Sequence, residues 1–281
     1  MNTGKLKPLV SIILPTHNRS LFLIKTIASI TSQTYTNFEL IIINDCSRDD
    51  TAQVLLDASM KEPRIKIINH SENLKIIRSL NEGTQVASGV YIARADDDDP
   101  WQDSTKLEKQ INFLESNPEY MLVGTGATLV DENGHEIFRY RTPESDKSIR
   151  ARMLFGNPFI HPSVVFRKSV LDKTGSYDVL LKDAEDWDLW MRMGQYGKLR
   201  NLPSFSVARF YGARGLSIKN RVNISQTRLE LIKKYRKFYP NFILALIFNY
   251  LQRIYIYLPY TQRLDILLFK AKRVSLAKKG N

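Results

Sequence analysis

Tyr91-Ile92-Ala93-Arg94-Ala95-Asp96-Asp97-Asp98-Asp99-Pro100-Trp101 reads YIARADDDDPW. A short apolar run ends abruptly in four adjacent carboxylates. The run Val90–Ala93 has the length of a buried strand, and the helical pattern Ile76–Ala87, with Gly89 just past its end, precedes it. Upstream the same alternation repeats. Val10–Leu14 (VSIIL) is an apolar strand that Pro15 is expected to end, and helical spacing follows from Leu21 to Thr31. Phe38–Ile43 (FELIII) is a second strand closing on Asn44-Asp45, Thr51–Met60 is helical, and Ile65–Ile68 (IKII) is a third strand. Strand alternating with helix four times predicts an α/β fold with a mostly parallel, doubly wound central sheet flanked by helices.

Beyond Trp101 the pattern loosens. Leu107–Leu114 reads as a helix, and Met121–Val130 and Glu136–Tyr140 as strands joined through Asn133-Gly134, a hairpin signal. Ser163–Phe166 and Leu202–Tyr211 are further strands, Ala184–Tyr196 is a helix closed by Gly197, and from Val222 the chain is helical and basic. The expected division is a folded α/β body over 1–215 and a basic helical region over 216–281, parted at Gly212 and Gly215.

Composition narrows the function. A hydrophobic content of 43% supports a packed core, and the lone Cys46 excludes a disulfide framework or a cysteine-built metal site. VSIIL is too short for a secretory h-region, and no run of about 20 uninterrupted apolar residues reads as a membrane span. The net charge is +12, and from Lys219 onward 14 Lys and Arg stand against only Glu230 and Asp265. The excess therefore sits in the last quarter, which points to an anionic surface as partner.

In a parallel sheet, ligands bind beyond the C-terminal strand ends near the switch point. Pro15-Thr16-His17-Asn18-Arg19, Asp45 and Asp96–Asp99 all fall at such ends. On an extended strand Asp96 and Asp98 would face the same side, roughly 6–7 Å apart. Paired carboxylates suit a hard divalent cation, Mg²⁺ or Mn²⁺; the plainer alternative is a solvated acidic turn before Pro100. No GK[ST] phosphate loop, dinucleotide glycine fingerprint or HExxH helix is present. Glu185-Asp186 opens a helix and offers a carboxylate base or a helix cap. His161, between Pro158 and Pro162, fits either a structural hydrogen bond or a place lining the pocket beside the metal. Trp101, Trp187 and Trp190 could stack on the rings of a ligand, although the helical spacing favours Trp190 as core.

VSIILPTHNR, ELIIINDCSRDDT, SLNEGTQVASGVYIARADDDD, HPSVVFRK and AEDWDLWMRMGQYG, in that order over residues 8 to 200, resemble the inverting family-2 glycosyltransferases of the GT-A fold. The resemblance implies a hexosyltransferase that moves a sugar from a nucleotide donor, UDP-linked by preference, to a hydroxyl of a saccharide or lipid-linked saccharide, as in polysaccharide or O-antigen assembly. It implies that Pro15, Thr16 and Asn18 line the nucleotide and that Asp45 bonds the base. Arg94 and Asp96 then sit near ribose and diphosphate, Asp98 binds the metal, and Asp186 is the catalytic base. Relatives often carry Asp-small-Asp-Asp, whereas here Asp97 takes the small residue's place. A sugar-nucleotide pyrophosphorylase would want a glycine- and basic-rich first loop, which PTHNRSLF is not. A nucleic-acid binder using the basic tail would want a recognisable motif, and none is found.

Asn241–Tyr260 (NFILALIFNYLQRIYIYLPY) gathers Asn249, Gln252 and Arg253 on one narrow helical face. Arg253 near its middle disfavours spanning, so the expectation is a helix lying in a membrane interface. Its flanking bases would meet anionic lipid at the cytoplasmic face of the plasma membrane. Packing on the body or on a second subunit is the alternative.

Overall fold

A computed structural model describes residues 7–210 and 221–257 of the chain. The expected boundary at Gly212 and Gly215, and everything after Tyr257, lie outside the described residues.

Four strands and three helices alternate as the sequence predicts: β1 (Val10–Thr16), α1 (Ser20–Thr31), β2 (Phe38–Asn44), α2 (Thr51–Lys61), β3 (Ile65–Asn69), α3 (Ile76–Val86) and β4 (Tyr91–Arg94). Then come α4 (Lys106–Ser116), β5 (Tyr120–Val130), β6 (Glu136–Tyr140), α5 (Asp146–Arg152), β7 (Val165–Arg167), α6 (Leu171–Thr174), α7 (Glu185–Met193) and β8 (Lys198–Phe210). Two further helices, α8 (Arg221–Tyr235) and α9 (Phe242–Tyr257), close the described chain.

One sheet runs β3-β2-β1-β4-β7-β5-β6, with β8 also paired to β5. The pairs β2–β3, β1–β2, β1–β4 and β5–β8 are parallel; β4–β7, β5–β7 and β5–β6 are antiparallel. Successive residues of the central strands feed two cores. Ile12, Leu14, Leu40 and Ile42 pack under α1 and α4, while Ile13, Ile41 and Ile43 pack with α3, α7 and α8. A strand buried on both faces has no polar alternation, which explains why VSIIL and FELIII are continuous apolar runs. Helix α3 comes so close to the sheet that a Cβ on Gly83 would lie 2.6 Å from the Ile13 side chain.

Two expectations about strand ends need correction. β1 does not stop at Leu14 but continues through Pro15 to Thr16, in register with Ile43 and Asn44. Residues 13 and 15 share the side facing β4, and β4 leaves after Arg94 pairs with Ile13. The N–H that proline lacks therefore has no ladder partner to lose. The Asp cluster, in turn, is not extended: β4 ends at Arg94, and Asp97-Asp98 form a turn in which the Asp99 N–H meets the Asp96 carbonyl at 3.4 Å. One divergence of β4 from β1 thus accommodates Pro15 and frees Asp96–Asp99 from the ladder.

The C-terminal helices share the core of the body. Leu231, Ile232, Tyr235, Tyr239 and Ala245 are buried with Trp187, Trp190 and Met193. Of the polar stripe of α9, Asn249 is buried, Arg253 donates to Gln226 on α8 at 2.6 Å, and Gln252 is exposed.

Candidate active site

Arg94, the last residue of β4, is 1% exposed and donates to the Ile13 carbonyl at 3.2 Å, to the Ala95 carbonyl, and to Asp96 Oδ1 at 2.5 Å. Burial would raise the Asp96 carboxyl, but the Arg94 guanidinium wins and holds it below the usual range. Its neighbours behave oppositely. Burial, then the charge of Asp98, push Asp97 up to about 7, although the Thr16 hydroxyl pulls the other way. Burial and Asp96 raise Asp98, whose nearest cation is Arg19, 3.9 Å away. Asp99 is buried against Arg209 of β8 at 3.1 Å.

Across the crevice stands the start of α7. Ala184 precedes it in the left-handed region, φ 58°, and no side chain caps the helix. Asp186 instead accepts the Trp187 N–H at 2.7 Å through Oδ1 and the Asn157 amide at 2.7 Å through Oδ2. Burial pushes Asp186 up to about 6; burial and the Asp186 charge push Glu185 up to about 7. Asp96 raises both, so the two acidic groups, 90 residues apart in sequence, share one electrostatic space. From α8, the Arg228 guanidinium is half-buried near Asp183 and Asp186; burial lowers its pKa while those acids oppose the shift.

His161 lies near Arg94 and Asp96, and its partner Tyr177 is near both groups. The His161 Nε2 is 3.1 Å from the Tyr177 hydroxyl, and its ring meets the edge of Trp190. Burial, then Arg94, drive its pKa down to about 3, so it stays a neutral hydrogen-bonding group. The tryptophans do not offer sugar platforms. Trp101, Trp187 and Trp190 are all at most 3% exposed, and the Trp187 indole donates to the Met153 carbonyl. They are the wall behind the site.

On the β1–β2 side, Asn18 adopts φ 54°, accepts the Arg48 N–H at 2.7 Å, and donates its own N–H to Ser47 at 3.0 Å. Asp45 is buried and well supplied: Oδ1 accepts from His70 and the Leu74 N–H, each at 2.8 Å, and Oδ2 from the Lys75 N–H at 2.9 Å. His70 bridges on to Glu82 at 2.6 Å. Burial alone would lower its pKa, but the two carboxylates hold it raised.

Among the described residues no three His, Cys, Asp or Glu side chains form a ready-made metal cage. The turn still fits a divalent cation, because its hard oxygens repel one another. Mg²⁺-type sites commonly use one or two carboxylates and complete the shell with water and substrate phosphates.

Sequence reasoning placed Arg19 at the end of β1 without a role, and missed His70, Asn157, Tyr177, Arg209 and Arg228 as parts of this wall. Arg209 and Arg228 carry no local signal, since only the path of β8 and α8 brings them here.

Residues 11–175 match the family model Glycosyl transferase family 2. The chain belongs to that family, and it is a glycosyltransferase. It is 34% identical over 188 residues to the O-antigen biosynthesis glycosyltransferase WbnJ of Escherichia coli, covering 66% of this chain and 71% of the relative. It is 30% identical over 206 residues to the amylovoran biosynthesis glycosyltransferase AmsE of Erwinia amylovora, covering 73% and 76%. Among solved structures, the mannosyltransferase PcManGT of Pyrobaculum calidifontis, in complex with GDP-Man and Mn²⁺, superposes with a TM-score of 0.66 at 16% identity, covering 98% of this chain and 76% of that one. S. aureus TarS 1-349 with UDP-GlcNAc gives 0.62 at 20% identity, covering 79% and 66%. These likenesses bear out the GT-A-type α/β fold.

Proposed function

We propose that this glycosyltransferase works with inversion and a divalent metal. It moves a hexose from a nucleotide donor, UDP-linked by preference, to a hydroxyl of a saccharide or lipid-linked saccharide in cell-surface polysaccharide synthesis. The observation that carries this is the opposition of the Asp96–Asp99 turn to the Glu185-Asp186 pair, one group suited to a cation and diphosphate, the other to a proton. The names of WbnJ and AmsE favour polysaccharide acceptors. The UDP-GlcNAc and the GDP-Man/Mn²⁺ complexes of the structural neighbours favour a nucleotide donor and a metal.

Pro15, Thr16 and Asn18 line the nucleotide at the open end of β1. A carboxylate offers about four acceptor positions; Asp45 fills three with His70, Leu74 and Lys75, leaving one on Oδ2 for a base N–H. Arg94 and Asp96 border ribose and diphosphate. Asp98, which Arg19 approaches only to 3.9 Å, would hold the metal. When bound, that ion offsets the charge gathering on the diphosphate as it leaves. Asp186 takes the acceptor hydroxyl proton. The alkoxide oxygen then bonds to the anomeric carbon from the face opposite the diphosphate, whose bond to that carbon breaks with its electron pair. A base pushed up to about 6 is ionised at neutral pH yet basic enough to accept a proton. Glu185 and His161 border the acceptor side, and the basic C-terminal region holds the enzyme to the anionic inner face of the plasma membrane.

The test is a panel of UDP-, GDP- and dTDP-sugars titrated calorimetrically with and without Mn²⁺. Metal-dependent binding of a UDP-sugar supports the reading. Equal binding in a chelator removes the metal from it.

A further inference from the structure

Helix α9 carries its apolar side outward. The side against the body holds Ala245 and Asn249, with Phe242 and Leu246 partly covered. The Asn249 amide donates to the Ala245 carbonyl at 2.9 Å and the Leu154 carbonyl at 3.4 Å, and Arg253 is tied to Gln226. Asn249 is thus spent inward and Arg253 on a neighbouring helix, which leaves Gln252 exposed. Outward stand Ile243, Leu244, Ile247, Leu251 and Ile254, each more than half exposed, bordered by Phe248 and Tyr250. At 100° per residue these positions fill one continuous arc of roughly 160°. Such a face marks an interaction surface rather than scattered exposure.

The described length of the helix is too short to cross a bilayer. Its 16 residues reach about 24 Å, short of the ~30 Å hydrocarbon core, and no described helix is long and apolar enough to span. Charge selects the occupant. No acid occurs between Glu230 and Asp265, while Lys233, Arg236 and Lys237 are exposed at the end of α8 beside the exposed Phe238. A second copy seated on α9 would bring a second acid-free basic segment with no counter-charge of its own. A lipid surface supplies apolar depth and anionic headgroups together.

We propose that the outward face of α9 seats in the plane of an anionic bilayer, its five aliphatic side chains at the acyl boundary and the basic end of α8 among the headgroups. This deepens the reading of a lipid-linked acceptor. Because Lys234 and Tyr235 of α8 both bond Asp188 of α7, the docked helices are fixed to the element that carries Asp186.

The test is sedimentation of the full chain with vesicles of phosphatidylglycerol and phosphatidylcholine, against phosphatidylcholine alone. The wild type should pellet with the anionic vesicles and be largely released by 1 M salt, where the Debye length is ~3 Å. The double variant I247D/L251D changes two exposed positions and should lose at least tenfold in vesicle affinity, with UDP binding in Mn²⁺ unchanged. Unaltered pelleting of the variant, equal pelleting with neutral vesicles, or a wild-type dimer that this variant splits would each overturn the proposal. UDP binding is read separately, so failure of the donor assignment is distinguishable from failure of the docking surface.

Discussion

Asp186 and Asp188 lie two residues apart on α7 and live in opposite surroundings. Asp188 is fully buried, yet it accepts from Arg192 Nε at 2.8 Å, Lys234 Nζ at 2.9 Å and the Tyr235 hydroxyl at 2.7 Å. Burial would raise its pKa, but these donors hold it low. Asp186 has an amide and one backbone N–H, faces other acids, and is held high. Asp45 stands between these two, with three donors and one acceptor position left, whereas Asp98 has Arg19 as its nearest cation, 3.9 Å off. A carboxylate saturated by the protein fixes structure; one left short of donors has capacity for a ligand or a proton. Substitutions on each side of that divide should therefore fail differently.

The largest effect is expected at Asp98. Asp98→Asn should lower turnover by at least on the order of 10³, since a metal contributes several kcal/mol to leaving-group stabilisation. It should weaken Mn²⁺-dependent donor binding and leave the melting curve in place. Full activity of this variant would remove Asp98 from the metal. Asp186→Asn should lower turnover by roughly 10²–10⁴ with donor affinity held, as for loss of a general base. Calorimetry showing donor binding lost instead would make Asp186 a nucleotide ligand.

Asp188→Ala should act on the other side of the divide. It leaves Arg192 and Lys234 without their shared anion and should destabilise by about 3 kcal/mol, the low end for breaking a buried pair, because Lys234 is half exposed. Donor affinity measured well below the melting range should stay within about threefold, roughly 0.7 kcal/mol. A melting temperature unchanged by this variant would show that the clamp between α7 and α8 carries no stability.

The pH profile sharpens the contrast without any loss of fold. A base held up to about 6 must be ionised to act, so turnover should fall tenfold per unit on the acid side of about 6. Glu185, held up to about 7, shares that limb, and the apparent values belong to the pair. Asn157 donates to Asp186 and favours its ionised form. Asn157→Ala should therefore move the limb to higher pH. Movement to lower pH, or none, would show that the amide does not set the base. The linkage has the matching sign. A carboxyl raised in the folded state contributes stability at low pH that is lost as pH rises, here between about 4 and 6.

β1, β2 and β4 were legible because doubly buried strands must be continuous apolar runs, β3 from its place in the alternation, and the acids at the strand ends marked the site. Legibility failed where local rules met tertiary exceptions. Pro15 looked like a stop, but the departure of β4 left its missing N–H without consequence. The Asp run looked extended because nothing local shows where β4 turns. Trp101 and Trp187 looked like sugar platforms because exposure is not written in residue type. The contributions of Arg209 and Arg228 arise from contacts between distant segments, which no spacing rule records.

The smallest expected effect concerns how α7 is aimed. Ala184 sits at φ 58°, in the left-handed region, at the N-cap of α7, with no side-chain cap to compensate. A Cβ in that region costs roughly 1–2 kcal/mol. Glycine removes the cost but adds about 0.5–1 kcal/mol of unfolded-chain entropy. Ala184→Gly should thus stabilise the protein by no more than about 1.5 kcal/mol. Its effect on turnover distinguishes two accounts of the strain. If the left-handed residue merely lets the chain enter α7, turnover is unchanged, because glycine adopts the same backbone. If the stiffness of alanine aims Glu185 and Asp186 across the crevice at Asp96, the freer glycine should lower kcat a few-fold at unchanged donor affinity, and the acid limb near pH 6 should broaden as the pair samples more positions. A loss of stability with Ala184→Gly would refute both, by showing that the left-handed conformation is not strained.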